Sequence, residues 1–195
     1  MTVGNHYDKY GTANPVVRRL VARWVAALDD VLDEAAPASL LDFGCGEGVL
    51  TERWARRFGV PAVGVDLAAH PAWRRRVGPA FRAVEPGPLP FEDGAFDVAT
   101  AIEVLEHVGD PARTLAELAR VARRHVVVSV PREPLWRVLN LARGAYVRDL
   151  GNTPGHVNHW SRVGIARACA AAGEVVETRS ALPWTVVLLR TGSLG

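Results

Sequence analysis

Apolar residues recur at helical spacing near the start of the chain, as Val17, Leu20, Val21, Trp24, Val25, Leu28, Val31 and Leu32. The pattern predicts an amphipathic helix opened by Asn14-Pro15 and closed before Pro37. The period then changes. Leu40 to Phe43 is a short apolar run ended by glycines, which predicts a buried strand, and Thr51 to Arg57 predicts a helix with Gly59 as its C-terminal cap. Val60 to Val65 predicts a second strand ending at Asp66. A short helix around Pro71 to Arg76 and a third strand near Phe81 to Val84 come next, before a loop through Pro86, Gly87, Pro88 and Pro90. Phe96 to Ile102 predicts the fourth strand. Helix is expected at Val104 to His107 and again from Pro111 to Arg124, with Leu115, Leu118, Ala119 and Ala122 on the apolar side.

His125 to Val130 is an uninterrupted apolar run rich in β-branched residues, the pattern of a central parallel strand covered on both faces. A long insertion, 131–160, follows. Ser161 then caps a helix that ends by Gly173, and apolar strands are expected at Val175 to Leu182 and Thr185 to Arg190. Pro183-Trp184 is too short for a helical crossover, so these two strands should pair antiparallel. Strands alternating with helices predict an α/β fold: a doubly wound sheet of seven mostly parallel strands with an antiparallel last strand and helices on both faces.

A chain of 195 residues is sized for one core. We therefore expect a single domain over 1–195, with 1–14 as an N-terminal flap and 131–160 covering the substrate mouth beyond the strand ends. Formal net charge is +2, and the arginines are dispersed, as at Arg53, Arg56, Arg57 and Arg74-Arg75-Arg76, with Lys9 the only lysine. Such dispersal argues against nucleic acid as the main partner. Cys45 and Cys169 are too few for a disulfide framework, and no Cys/His cluster has zinc-finger spacing. The polar start (Asn5 to Lys9) and the lack of an apolar stretch near ~20 residues lead us to expect a cytoplasmic protein, neither secreted nor inserted in a membrane.

The chemistry begins at Leu40-Leu41-Asp42-Phe43-Gly44-Cys45-Gly46-Glu47-Gly48. Glycines at a first strand-to-helix turn let the backbone approach a ligand, and the helix amides favour an anionic group. The spacing is G-x-G-x-G, with Val49 where a dinucleotide fingerprint needs its last glycine. Asp66, after the second strand, suits ribose hydroxyls in either kind of cofactor.

Leu89-Pro90-Phe91-Glu92-Asp93-Gly94-Ala95-Phe96-Asp97 and Glu103-Val104-Leu105-Glu106-His107-Val108 resemble the class I S-adenosylmethionine-dependent methyltransferases, over about Leu40 to Val130. The likeness is to a small, stand-alone methyltransferase-11-type domain with a Rossmann-like sheet, and in part to the ubiquinone-biosynthesis O-methyltransferases. It implies S-adenosylmethionine as cofactor. It further implies that Gly44, Cys45 and Gly46, behind Asp42, meet the methionine end of the cofactor and that Asp66 holds the ribose with Leu67 beside the adenine. Glu85 would meet the adenine amino group, although Pro86 lacks the N–H that the family often uses there. Ile102 and Glu103 are counted among the cofactor-lining residues. Tyr7, with Tyr10, precedes the first helix where related enzymes fold a flap over the cofactor, and an aromatic ring there shields a sulfonium by cation–π contact.

Methyl transfer from a sulfonium needs nucleophile and methyl held in line at roughly 3 Å, and a hydroxyl acceptor is helped by a base. Three histidines are candidates. His156 and His159 lie in Gly155-His156-Val157-Asn158-His159-Trp160-Ser161, on the insertion. His107 is placed by i, i+3, i+4 spacing on one helix face with Glu103 and Glu106. In the ubiquinone-biosynthesis enzymes the equivalent Glu, Glu and His bind magnesium, but the same hexapeptide occurs in related enzymes without a metal, and no metal is counted among the expected cofactors. The amphipathic segment Pro134 to Arg143 either packs on its own core or meets a hydrophobic substrate or membrane surface.

No Asp/Asn-Pro-Pro-aromatic motif stands at the fourth strand to clamp a nucleic-acid base. The expected partner is a small-molecule acceptor, methylated on oxygen as the first reading, with nitrogen and carbon left open. Two other readings stay open at this stage: a non-catalytic module that binds the cofactor or a partner chain, and an NAD(P)-dependent oxidoreductase.

Overall fold

The computed structural model describes residues 11–142 and 144–192. Helix α1 (Pro15–Ala35) starts where the sequence marks it: Asn14 Oδ1 accepts hydrogen bonds from the Val16 and Val17 amides at 2.9 and 3.3 Å. Pro15 sits in the first turn, where no amide proton is needed. The buried stripe is Val21, Trp24, Leu28, Val31 and Leu32, and it also carries Asp29. Arg53 and Trp54 of α2 (Val49–Phe58) donate to that carboxylate at 2.5 and 3.1 Å, so a buried charge ties the two helices together. Removing the arginine alone would leave that charge without its ion-pair partner, the costly case for a buried pair.

The strands are β1 (Leu40–Phe43), β2 (Ala62–Asp66), β3 (Ala80–Ala83), β4 (Phe96–Ile102), β5 (Ala122–Pro131), β6 (Glu174–Ala181) and β7 (Trp184–Arg190). They form one sheet in the order β3-β2-β1-β4-β5-β7-β6. β1 to β5 run parallel, and β7 is antiparallel to both β5 and β6, as the short Pro183-Trp184 link requires. One face packs on α1 and α2 through Trp24, Leu28, Leu50 and Trp54. The other packs on α3 (Pro111–Val121) and α5 (Arg162–Ala170) through Leu115, Leu118, Ile165 and Cys169. All seven residues of β4 are buried, as expected for a strand covered on both sides. The chain runs outward from β1 to β3 and then returns to β4 on the other side of β1. Ligands of such sheets bind beyond the carboxyl ends of the strands at that reversal.

Several boundaries move. β2 begins two residues later than the apolar run suggests, because Pro61 lacks an amide proton and instead offers its carbonyl to the Leu40 amide at 3.0 Å. β3 is Ala80–Ala83 rather than Phe81 to Val84, and β5 starts at Ala122, which shortens α3. The larger correction concerns Val104 to His107, which is a turn and not a helix. Glu103 has a left-handed backbone (φ 57°), and the Glu106 carbonyl accepts from the Val157 and Asn158 amides of the insertion instead of from a following helical turn. Helix resumes at Pro111, capped by Asp110.

The insertion carries α4 (Leu135–Ala142) and a 3-10 turn at Val147–Asp149. Its two ends are stitched together: Arg132 bridges Trp160, and the Glu133 amide donates to the Trp160 carbonyl at 2.9 Å. Among the described residues no helix is long and apolar enough to cross a membrane.

Candidate active site

The glycine loop leaves β1 at the reversal point. Gly44 has φ +72°, and a Cβ there would lie 2.5 Å from a Val104 methyl, so only glycine lets the loop pack on the turn after β4. Gly46 has φ +53°, and a Cβ there would meet nothing within 4 Å. Its glycine is required by backbone conformation, and its side faces open space. The loop is held from below and beside. Asp66 Oδ2 accepts from the Gly46 amide at 2.8 Å and Oδ1 from the Leu67 amide at 2.7 Å. Trp73 Nε1 donates to the Gly46 carbonyl at 2.8 Å, and Arg76 Nε to the Glu47 carbonyl at 3.0 Å. Arg76 is itself anchored on Glu52 at 3.0 Å, and Trp73 stacks on Phe81 at 5.2 Å.

Asp42 lies behind this loop rather than at its surface. It is 3% exposed, and its carboxylate accepts from Thr51 of α2 at 2.5 Å and from Thr100 of β4 at 2.8 Å. Burial pushes its carboxyl up to about 6 against these two hydrogen bonds. Asp42 therefore braces β1, β4 and α2 against one another, and its side chain is not placed to touch a bound molecule. Burial likewise pushes the Cys45 thiol up, with Asp42 and Asp66 adding to the effect, so Cys45 is no thiolate nucleophile. Leu67 is 47% exposed beside Asp66, and Glu85 is exposed just past β3, whose last residue pairs with Asp66.

A second cluster lies across the turn after β4. His156 of the insertion packs edge-on against His107, with ring centroids 4.9 Å apart. His107 Nδ1 is 3.0 Å from the Gly155 carbonyl, a contact that requires a proton on Nδ1. Glu106 (1% exposed) completes the group: one ligand atom from each of Glu106, His107 and His156 lies within 4.8 Å of the others. Burial pushes His156 down to about 4, with His107 and His159 beside it adding to the effect, so its ring is neutral at physiological pH. His107 is exposed.

The i, i+3, i+4 face of the sequence analysis is therefore only partly realised. Glu106 and His107 come together. Glu103 turns away, its carboxylate accepting from Trp184 Nε1 at 2.7 Å. His159 points to Asn152, 2.9 Å from its Nε2, and stays outside the group. Ile102 is buried at the end of β4. Tyr7 and Tyr10 lie outside the described residues.

Two contributors had no role in the sequence analysis. Asn158 Nδ2 donates to the carbonyls of Leu105 and Val108 at 2.9 and 2.7 Å, fastening the insertion to the turn that carries Glu106 and His107. Trp184 stacks on Trp24 at 4.7 Å and meets Trp136 of α4 at 5.5 Å, while Trp24 Nε1 donates to Ser129 Oγ at 2.9 Å. The position of Asn158 between two candidate histidines was the available signal. Nothing in the sequence joined three tryptophans from α1, α4 and β7.

A doubly wound sheet in this strand order, with a glycine loop and an acid at the reversal point, defines a Rossmann-like nucleotide-binding class. Residues 16–178 match the family described as a methyltransferase domain. Over 105 residues the chain is 40% identical to the ubiquinone biosynthesis O-methyltransferase of Hahella chejuensis, covering 48% of this chain and 44% of that one. Over 154 residues it is 30% identical to the Aeromonas salmonicida protein of the same name, covering 72% and 64%. The chain thus spans about half to two thirds of the length of these relatives. The structure superposes on magnesium protoporphyrin IX methyltransferase from Synechocystis PCC 6803, solved with bound S-adenosylhomocysteine, with TM-score 0.68, 18% identity and coverage of 93% and 90%. The chain belongs to the class I S-adenosylmethionine-dependent methyltransferase family.

The loop fits that cofactor at its methionine and ribose ends. Gly46 faces open space, and each Asp66 oxygen spends one lone pair on a backbone amide, which leaves each a second acceptor position.

Proposed function

We propose that the protein transfers the methyl group of S-adenosylmethionine to a hydroxyl of a small organic acceptor, oxygen being the atom that the names of its ubiquinone biosynthesis O-methyltransferase relatives specify. The observation that carries the reading is the Glu106, His107 and His156 group, formed where the insertion meets the turn that abuts Gly44. When bound, the cofactor supplies an electrophilic methyl on a sulfonium. Gly44, Cys45 and Gly46 line its methionine end, Asp66 receives the ribose hydroxyls, and Leu67 and Glu85 face the adenine. Ile102 and Glu103 form the floor between the two halves. Residues 131–160 cover the acceptor.

Catalysis in this reading is largely positioning. The acceptor hydroxyl is placed against the Glu106, His107 and His156 group, which aims its oxygen in line with the methyl group. Water is kept from the site by the insertion fastened through Asn158.

Calorimetric titration with S-adenosylhomocysteine, followed by a methyl-transfer assay against a panel of phenols, tests this. We expect one bound cofactor per chain and transfer to at least one phenol. Clean, folded protein that binds no S-adenosylhomocysteine would sink the reading, and binding without transfer would reduce it to a cofactor-binding module.

A further inference from the structure

The likeness to ubiquinone-biosynthesis O-methyltransferases implies Glu103, Glu106 and His107 as magnesium ligands, and the structure parts them. The left-handed backbone at Glu103 sends its carboxylate to Trp184, and the insertion brings His156 to the other two. We propose that Glu106, His107 and His156 hold a divalent ion of the zinc and cobalt kind instead of magnesium, and that the acceptor hydroxyl completes its coordination. The second half rests on the function proposed above.

Donor chemistry comes first. Two imidazoles and one carboxylate are a nitrogen-rich set, which suits borderline first-row ions, whereas magnesium takes oxygen ligands and retains water. The spacing follows. Ligand atoms of one tetrahedral ion bound at about 2.1 Å lie about 3.4 Å apart. The three atoms, within 4.8 Å of one another, have to close by about 1.4 Å at most to reach that. Among the described residues no other group of three such side chains comes as close.

The surroundings are those of a supported site. A metal-bound histidine characteristically donates its other ring N–H to a carbonyl, which fixes its tautomer and its orientation. His107 does this toward Gly155 through Nδ1, which leaves Nε2 as the ring nitrogen for an ion. The backbone of Glu106 is fixed by the Val157 and Asn158 amides at 2.8 and 3.1 Å, and Asn158 clamps the carbonyls on either side of the Glu106-His107 pair. Glu106 and His156 are buried and His107 is exposed, so the group is reached from solvent on its His107 side. A three-residue set leaves room there for an oxygen ligand, the arrangement of catalytic rather than structural sites.

Cobalt serves as the probe. The full chain, stripped with a chelator, is titrated with Co2+ and followed by its visible ligand-field bands, with neither cofactor nor acceptor present. We expect one Co2+ per chain, displaced by equimolar Zn2+ and retained against a large excess of Mg2+. His107→Ala and His156→Ala should each weaken Co2+ binding at least about tenfold, whereas Glu103→Gln should leave it unchanged. His107 is exposed, so its variant should keep the fold, and circular dichroism checks that both do. Absence of ligand-field bands, or unchanged affinity in folded His107→Ala, overturns the proposal. Displacement by Mg2+ together with loss in Glu103→Gln overturns it in favour of the magnesium set. Because the readout uses metal alone, a negative result here leaves methyl transfer standing, and failure to bind S-adenosylhomocysteine leaves the metal site standing.

Discussion

The two rims of the site are built by different means. The cofactor rim is local: Gly44 to Gly48 and Asp66 sit at the ends of adjacent strands, and Gly46 and Asp66 are hydrogen-bonded across 20 residues of chain. The acceptor rim is assembled from the turn 103–108 and the loop 152–160, about 50 residues apart, joined by Asn158 and by the His107 contact to Gly155. One rim follows from strand geometry. The other exists only once the insertion has docked. On the function proposed above, the seat of the methyl donor lies on rigid strand ends, while the acceptor meets a segment docked onto the sheet from outside it.

Variants should separate the two rims. The largest effect is expected for His156→Ala, which should lower turnover by about 10²–10⁴-fold and leave S-adenosylhomocysteine affinity within about twofold. Steady-state kinetics beside calorimetry reads both, and unchanged kcat would remove His156 from the site. Asp66→Ala should do the reverse. Loss of a carboxylate that accepts from two amides and is offered to two hydroxyls should weaken S-adenosylhomocysteine binding by about 100-fold, with Co2+ affinity unaltered. If both quantities fall together in either variant, the rims are not independent.

Asp42 tests the brace beneath both rims. Its carboxyl is raised to about 6 from an ordinary 3.8, so the folded state holds its proton more tightly than the unfolded chain does. The contribution of this carboxyl to stability is therefore fully present below about pH 4 and is lost as pH rises through about 6. Asp42→Asn removes this dependence, and should gain on the parent by on the order of 3 kcal/mol between those limits, measured as the difference in urea unfolding free energy. A constant difference across that window would show that Asp42 titrates normally. The smallest effect is expected for Asn158→Ala. Two lost hydrogen bonds at about 1 kcal/mol each should lower Tm by about 5 °C and raise acceptor KM, with cofactor affinity unchanged.

The sheet and the glycine turn after β1 were legible because they are written in short-range code. Period-two and period-3.6 patterns, caps such as Asn14, Asp110 and Ser161, and the Gly44 to Gly48 spacing are each contained in a few residues. The turn at Val104 to His107 was misread as helix because its residues are good helix formers. What unwinds it is tertiary: the Glu106 carbonyl is claimed by amides from the insertion. His156 was singled out by residue type, but its partners were not, since Glu106 and His107 reach it only through that docking. Asp42 was legible as part of the loop motif and not as a buried strut, because nothing in its neighbours announces Thr100 on β4.

The stacked indoles give the molecule a built-in optical gauge. Trp24 and Trp184 belong to the body and lie nearly parallel, at 18°, whereas Trp136 rides on the insertion and meets Trp184 at 56°. Rings this close couple their electronic transitions. A swing of the insertion would uncouple one pair and leave the other intact, so opening and closing over an acceptor would be written into the near-ultraviolet circular dichroism without any label.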